Sequence, residues 1–365
     1  MPRPANLCQR ARPFRPVVRP AGLRFPAIRR VSVVIAALTV RTTPAAAHEG
    51  WGIVVDAHRR VYVADIPANT VWRISPDGRV EPVVRDVHSH ALVLGSDGAV
   101  YGTHVHLTRP IRSVWRLDMS GRLSDVLPPT SGFPLDLQPF LLGADGTLYS
   151  GSVYQAAPPA GGRELYVLRR SPRGVVDTVA GGRVGHADGA GPRARFESLD
   201  GMAWLPDGAI VIADGPRLRR VTLDGHVATI TGPLTTRRWD QDLMGVSVGP
   251  HGDVYAADFA GRAVLHVVGT RADTALVSGR FWSPTGVTAT AGGLYVLEHP
   301  RAPLGILGDL GVGPYLRVRR LGPDGRVETL ARVWGRHSGP AAGAAALLLL
   351  ALTGAWARRR MQRRE

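Results

Sequence analysis

Two histidine pairs are the first residues in the sequence whose type and spacing could do chemistry. His88 and His90 are separated by one residue, and so are His104 and His106. Because side chains two positions apart lie on one face of an extended strand, the members of each pair point the same way. Two imidazoles with a carboxylate can bind Zn²⁺. The pairs therefore suggest a metal site; the alternative is that they are hydrogen-bonded loop residues.

Other sequence signals of chemistry are weak. The chain contains no P-loop and no Cys-x-x-Cys pair, and its only cysteine, Cys8, lies in the N-terminal segment and cannot form a disulfide within the chain. Arginine pairs such as Arg219-Arg220 are predicted to lie on solvated strand or loop faces. If the N-terminal segment is removed, the rest of the chain holds no cysteine nucleophile.

The residues that could do chemistry are embedded in an internal repeat. Each repeat has an apolar run, a turn with Asp-Gly or a similar pair, and a second run that contains Tyr or Val and in most repeats ends near an acid. A third and a fourth short run follow in most repeats. The repeats begin with the following six segments: 52–65, 91–104, 140–152, 201–214, 245–258 and 286–298.

The repeats predict an all-β fold, a six-bladed β-propeller. The runs are four to six residues long, alternate in polarity, and are separated by Gly, Asp and Pro pairs that fit tight turns. Six units of four antiparallel strands over residues 51–333 match the blades of a propeller. An acid recurs at the end of the second strand, at Asp65, Asp214, Asp258 and Glu298. Such repetition favours a turn-capping role over catalysis.

Two families share these motifs. The segment from Val179 to Asp214 has the motif order VAGG, HADG, ARF, LDG, PDG and AD, and it resembles an NHL-repeat propeller. Separately, the segments Val61 to Pro67, Phe140 to Ser152 and Gly201 to Asp214 are similar to the gluconolactonase and senescence-marker (regucalcin-like) six-bladed propellers. Both resemblances imply the same architecture.

One position of the repeat is predicted to face the axial mouth, where propellers bind ligands. It lies just before the innermost strand of each blade. The residues at the position equivalent to Asp200 in the six repeats are Trp51, His90, Gln138, Asp200, Met244 and Thr285.

The gluconolactonase-like resemblance implies a divalent metal at this mouth, held by a Glu, an Asn and an Asp. The Glu position falls on Trp51, with Glu49 two residues earlier, and the metal Asn position falls on Asp200. An Asn that faces the substrate falls on Gln138, which could still hydrogen-bond. The metal Asp, which also serves in lactone chemistry, falls on Met244, whose thioether is neither a hard-metal ligand nor a base.

The candidate site residues therefore form two groups. The metal candidates, for Ca²⁺, Mg²⁺ or Zn²⁺, are Asp200, His90 and Glu49. The ligand-binding candidates are Gln138, Trp51, Met244 and Thr285. The catalytic residues are not identified by the sequence, and no cofactor is certain.

The two ends of the chain carry most of its net charge of +16. Residues 1–47 hold nine Arg and no acid around an apolar run, which predicts a signal peptide. The propeller is predicted over 48–333, followed by a linker at 334–339. Residues 340–357 form an uncharged stretch that is predicted to be a transmembrane helix, and 358–365 a basic cytoplasmic tail.

These predictions lead to two functional hypotheses. The first is an exported binding module on the outer face of the cell membrane, anchored by the C-terminal helix, with an unknown protein or small-molecule ligand at the mouth. The second is a metal-dependent lactonase or esterase of the gluconolactonase-like class. Nucleic acid is not expected as a partner, because the positive charge belongs to the ends of the chain. Met244 favours the first hypothesis.

Overall fold

The computed structural model describes residues 50–105, 111–131, 136–155, 162–235, 243–301 and 314–334. They form strands and one short 3-10 helix, Gly191–Arg193. The strands follow the predicted runs because alternating β-branched and aromatic residues can bury one face, and the Asp-Gly pairs between them turn the chain. Gly78 in the turn after Asp77, for example, has a φ of 84°, which glycine adopts without strain.

The strands fall into six sheets, which are the six blades. Blade 1 contains β1 (Ile53–Val55), β2 (Val61–Asp65), β3 (Thr70–Ile74) and β4 (Val80–Arg85). Blade 2 contains β5 (Leu92–Leu94), β6 (Val100–Val105), β7 (Ile111–Leu117) and β8 (Leu123–Ser131). Blade 3 contains β9 (Phe140–Leu142), β10 (Leu148–Gln155), β11 (Arg163–Arg170) and β12 (Val176–Arg183).

The second half of the chain repeats this plan. Blade 4 contains β13 (Gly189–Ala190), β14 (Met202–Trp204), β15 (Ile210–Asp214), β16 (Arg217–Val221) and β17 (His226–Thr229). Blade 5 contains β18 (Leu243–Val248), β19 (Val254–Asp258), β20 (Ala263–Val268) and β21 (Arg271–Val277). Blade 6 contains β22 (Trp282–Thr290), β23 (Gly293–Pro300), β24 (Pro314–Leu321) and β25 (Val327–Trp334).

Each blade is built from consecutive antiparallel strands. The order within a sheet is the order along the chain, except that the short β13 adds a fifth strand on the outer edge of blade 4 by pairing with β17. Blade 6 supplies its own outer strand, β25, so the ring closes without an exchange of strands between the first and last blades. The predicted six-bladed propeller is confirmed.

The hydrophobic core lies between the blades. Each of six clusters of buried apolar side chains joins two neighbouring blades, because a four-stranded sheet has two faces to cover. The cluster that closes the ring brings Ile53 and Val63 of blade 1 against Leu297 and Val318 of blade 6. In the same contact, the Thr288 hydroxyl donates to the Ile53 carbonyl oxygen at 2.5 Å.

Glycine allows the backbones of blades 6 and 1 to approach closely. A Cβ on Gly286 would overlap the carbonyl oxygen of Trp51. We expect Gly286→Ala to lower the free energy of unfolding by about 1–3 kcal/mol, the range for overpacking. Gly292→Ala is the matched control, because its nearest atoms lie 3.6 Å away. Urea unfolding that gave equal values for both variants would contradict this account of ring closure.

The acids at the ends of the second strands have structural roles, as predicted. The Asp65 carboxylate accepts a hydrogen bond from the Ala68 backbone at 3.1 Å, and that of Asp258 accepts one from the Gly261 backbone at 2.7 Å. Both bonds close the turn that follows the strand.

In blades 4 and 6 the corresponding acid forms buried ion pairs. Asp214 pairs with Arg219 at 2.6 Å, and both side chains are completely buried. Glu298, also completely buried, pairs with Arg317 and with Arg319, the latter at 2.7 Å. The prediction of a solvated face was therefore wrong for Arg219, because Asp214 compensates its charge in the interior.

The predicted fold class was wrong in its C-terminal part. No helix among the described residues is long and apolar enough to cross a bilayer. Residues 340–357 and the predicted signal peptide, 1–47, lie outside the described residues. The helix prediction depended on length and missing charge in a stretch with eight Ala and five Leu, and Ala drives membrane insertion only weakly. The described residues therefore form an all-β six-bladed propeller.

Candidate functional site

Three of the predicted positions, Trp51, Met244 and Thr285, lie where the inner strands of neighbouring blades meet. Besides the contact between Gly286 and Trp51, a Cβ on Gly201 would overlap the Met244 carbonyl oxygen, and one on Gly245 would lie 2.9 Å from the Thr285 carbonyl oxygen. These contacts link blades 4, 5, 6 and 1 around the axis.

Trp51 is the central aromatic residue of the mouth. Its backbone donates to the His90 carbonyl oxygen at 2.9 Å, and the two rings lie 5.3 Å apart. The half-buried indole packs against the core cluster of blades 2 and 3, which includes Leu137 and Phe140, while its Cβ faces Gly245 of blade 5. Trp51 therefore contacts blades on different sides of the axis.

The indole nitrogen of Trp51 is a buried hydrogen-bond donor. It has no hydrogen-bond partner among the described residues. A buried N–H without an acceptor costs free energy, about 1–3 kcal/mol. A ligand or a water that enters the mouth could supply the missing acceptor.

Three of the four predicted histidines come together in blade 2. The Nε2 atoms of His88 and His90 are 2.9 Å apart, and both side chains are buried. The His88 backbone donates to Nδ1 of His104 at 3.0 Å. One Nε2 of the first pair must donate and the other accept, so a neutral pair shares one hydrogen. His106 lies outside the described residues.

A further pair at the mouth was not predicted. The Thr285 hydroxyl lies 3.0 Å from Nδ1 of His299, and both side chains are buried. Burial lowers the pKa of His299 from 6.5 to about 3, so the imidazole is neutral at pH 7. Its Nε2 is buried and has no hydrogen-bond partner among the described residues. The mouth thus carries a second buried polar atom that needs a partner.

The remaining predicted residues supply polar and soft groups. Asp200 is half-buried and accepts a hydrogen bond from the Ser198 hydroxyl at 2.7 Å. Met244 is buried to 1% exposure. Gln138 is half-buried beside Leu137, which belongs to the cluster that contacts Trp51.

One serine motif was overlooked in the sequence. Residues 245–249 read Gly-Val-Ser-Val-Gly, the spacing of a hydrolase nucleophile turn. Ser247 lies within β18, however, and its hydroxyl accepts a hydrogen bond from the Ala289 backbone of blade 6 at 3.0 Å. Its location in a strand and its contact between blades indicate a structural role.

The residues at the mouth do not fit the metal implied by the gluconolactonase-like resemblance. Ca²⁺ and Mg²⁺ require several oxygen ligands, and Met244 and Trp51 stand at two of the three protein ligand positions. Among the described residues no three His, Cys, Asp or Glu side chains are close enough to share a metal ion. Glu49, the third metal candidate beside Asp200 and His90, lies outside the described residues.

Solved structures with the same fold include proteins named as gluconolactonases. No protein-family model matches the sequence, and no curated protein is significantly similar to it. One similar structure, a protein provisionally named a gluconolactonase, has a TM-score of 0.50 and 17% identity over 79% of this chain and 91% of its own.

Two further structures are similar. A Bacteroides thetaiotaomicron protein of unknown function has a TM-score of 0.50 and 15% identity over 67% of this chain and 66% of its own. A Xanthomonas campestris gluconolactonase has a TM-score of 0.49 and 14% identity over 68% and 83%. The structure provisionally named a gluconolactonase, with its TM-score of 0.50, confirms the predicted resemblance to gluconolactonase-like six-bladed propellers at the level of the fold. The NHL assignment is compatible with this fold and stays a prediction.

Proposed function

We propose that the protein is a binding module whose axial mouth holds a small polyhydroxylated ligand, such as a sugar. The observation that carries this proposal is the half-buried indole of Trp51, which has a buried N–H in need of an acceptor. Indole rings pack against the C–H face of a sugar ring, and hydroxyl groups accept from N–H donors. Gln138 and Asp200 supply further groups that can hydrogen-bond to hydroxyls.

Binding of gluconolactam, a neutral sugar-ring analogue of a sugar lactone, tests this proposal by isothermal titration. We expect saturable binding that Trp51→Ala weakens about tenfold or more, because the indole supplies both the stacking face and the donor. Trp334→Ala is the matched control, since Trp334 is 57% exposed at the end of β25. Unchanged affinity in Trp51→Ala, or no binding of gluconolactam to the wild type, would contradict the proposal.

The second candidate is a metal-dependent hydrolase of lactones. The fold shared with a protein provisionally named a gluconolactonase and the Asp200 carboxylate favour it. The identities of Met244 and Trp51 weigh against it, because neither side chain supplies an oxygen ligand.

Hydrolysis of gluconolactone with added Ca²⁺, Mg²⁺, Mn²⁺ or Zn²⁺ distinguishes the two candidates. We expect the rate to equal the uncatalysed rate with every metal. Metal-dependent turnover that is lost in Asp200→Ala would establish the hydrolase and reverse the order of the candidates.

We also propose an extracytoplasmic location, supported by the nine Arg and the apolar run 31–40 before residue 48. Cleavage after Ala47 would place His48 at the mature N-terminus, which mass spectrometry of the protein from its native cells can detect. Full-length protein that is found only in the cytoplasm would contradict this location.

A further inference from the structure

A cavity lies at the far end of the inner strands from Trp51 and His90. Trp51 and His90 precede the inner strands of blades 1 and 2, whereas this cavity is formed at the hairpin turns that follow the inner strands of blades 2, 3 and 4. Its volume is about 870 Å³, within the usual range of small-molecule sites. The residues that shape it are Leu94, Tyr101, Leu142, Tyr149 and Trp204, with Asp97 and Asp145 in the turns.

Three aromatic residues contribute to the wall of this turn cavity. Tyr149 and Trp204 meet edge to face, with ring centroids 5.2 Å apart, and Tyr101 lies in the neighbouring blade. The indole nitrogen of Trp204 donates to the Leu142 carbonyl oxygen at 3.1 Å. Trp204 is half-buried and can therefore offer a ligand the carbon surface of its ring, while its N–H is already used.

The glycine N–H groups of the surrounding turns donate within the turns. Gly95 and Gly143 donate their backbone N–H groups to the carbonyl oxygens of Ala99 and Thr147, at 2.9 and 2.8 Å. Gly146 donates in turn to Gly143 at 3.0 Å. A ligand that needs donors, such as an anion, therefore finds none in these groups.

The turns around the cavity carry two exposed carboxylates, Asp97 and Asp145. Asp97 forms an ion pair with Arg116 at 2.8 Å. Asp145 accepts from the backbone and the hydroxyl of Thr147, and these bonds lower the pKa of its carboxyl group, so it is ionised at pH 7. No ion pair among the described residues involves Asp145. An ionised carboxylate only accepts hydrogen bonds, and Arg116 compensates the charge of Asp97 alone, so it is Asp145 that favours a positively charged ligand.

We propose that the turn cavity binds an organic cation of the quaternary ammonium class. Such a cation is attracted by aromatic faces and carboxylates, and it needs no hydrogen-bond donor. Half-buried Trp204 supplies the accessible aromatic face, with the buried rings of Tyr101 and Tyr149 beside it, and Asp145 supplies the charge. The site is separate from the axial mouth and does not depend on the function proposed there.

Titration of the full-length protein with choline, compared with its uncharged carbon isostere dimethylbutanol, tests this assignment. We expect choline to bind saturably and dimethylbutanol to bind about tenfold more weakly or not at all, because the two differ in charge at nearly equal shape. Equal affinity for both compounds would overturn the cation assignment, and absence of choline binding would overturn the site.

Two variants and two controls locate the binding. Trp204→Ala should weaken choline binding about tenfold, and circular dichroism checks that this variant is folded. Asp145→Asn, which changes only an exposed turn residue, should weaken choline binding several-fold. The control Asp324→Asn removes a turn acid of the same kind, which accepts from the Arg326 backbone at 3.1 Å in blade 6. Trp51→Ala should leave choline affinity unchanged. Choline affinity that falls in Trp51→Ala and is unchanged in Asp145→Asn would place the cation at the mouth and overturn the proposal.

Discussion

Replacing Arg219 with Ala is expected to lower the free energy of unfolding by about 3–5 kcal/mol. The Arg219 side chain is fully buried and pairs with the equally buried Asp214 at 2.6 Å and with Asp188 at 2.7 Å. Its removal leaves the Asp214 carboxylate in the interior without its cation, which is the costly way to break a buried ion pair.

The same guanidinium also holds the segment that contains β13, the outermost strand of blade 4. Arg219 donates to the carbonyl oxygens of Ala187 and Arg195, at 2.8 and 3.1 Å, and lies over the Phe196 ring at 5.4 Å. These contacts join the segment around β13 to β16. Its loss should therefore also expose the segment around β13 to faster hydrogen exchange.

Arg220 is the matched control for this prediction. Its guanidinium pairs at the surface with Asp207, and both side chains are exposed, so Arg220→Ala should change the free energy of unfolding by less than about 1 kcal/mol. Urea unfolding of both variants measures the difference. Similar values for the two neighbours would show that the buried network does not stabilise blade 4.

Acidification is expected to remove about 3 kcal/mol of stability through His299 between pH 7 and pH 4. The folded protein keeps this imidazole neutral, because burial lowers its pKa from 6.5 to about 3. The unfolded chain takes up a proton below about pH 6.5. The stability is therefore fully present above pH 6.5 and is lost progressively as the pH falls towards 3.

His299→Gln isolates this contribution from other titrating groups. Gln stays neutral and can still hydrogen-bond to Thr285. The difference in unfolding free energy between wild type and variant should change by about 3 kcal/mol in favour of the variant from pH 7 to pH 4. His226→Gln, at an exposed position of β17, is the control. A difference that stays constant with pH for His299→Gln would show that the imidazole is not kept neutral by burial.

The blades could be predicted from the sequence because their signals are local. Two alternating runs and the turn between them span about 14 residues. These two runs pair with each other as a hairpin, as β1 and β2 do. The turn-capping acids Asp65 and Asp258 follow from the same local pattern. One register of the repeat places Trp51, His90, Gln138 and Asp200 two residues before an inner strand, whereas Met244 and Thr285 lie within β18 and β22.

The contacts between strands and between blades could not be predicted in this way. His299 reaches Thr285 because β22 has a bulge between Pro284 and Gly286, opposite β23. No local sequence pattern predicts that bulge. Arg219 looks like its exposed neighbour Arg220 in the sequence. It is buried because successive strand residues face opposite sides: Arg219 faces the buried Asp214, whereas Arg220 pairs with the exposed Asp207.

The indole N–H resonance of Trp51 tests the binding function of the mouth most directly. The chain has eight Trp, and Trp51→Phe identifies the resonance in a spectrum of ¹⁵N-labelled protein. Because the Trp51 Nε1 donor is buried and has no partner among the described residues, we expect gluconolactam to shift this resonance saturably while that of Trp204 stays in place. A Trp51 resonance that does not move while gluconolactam binds would contradict the assignment of the axial mouth as the ligand site.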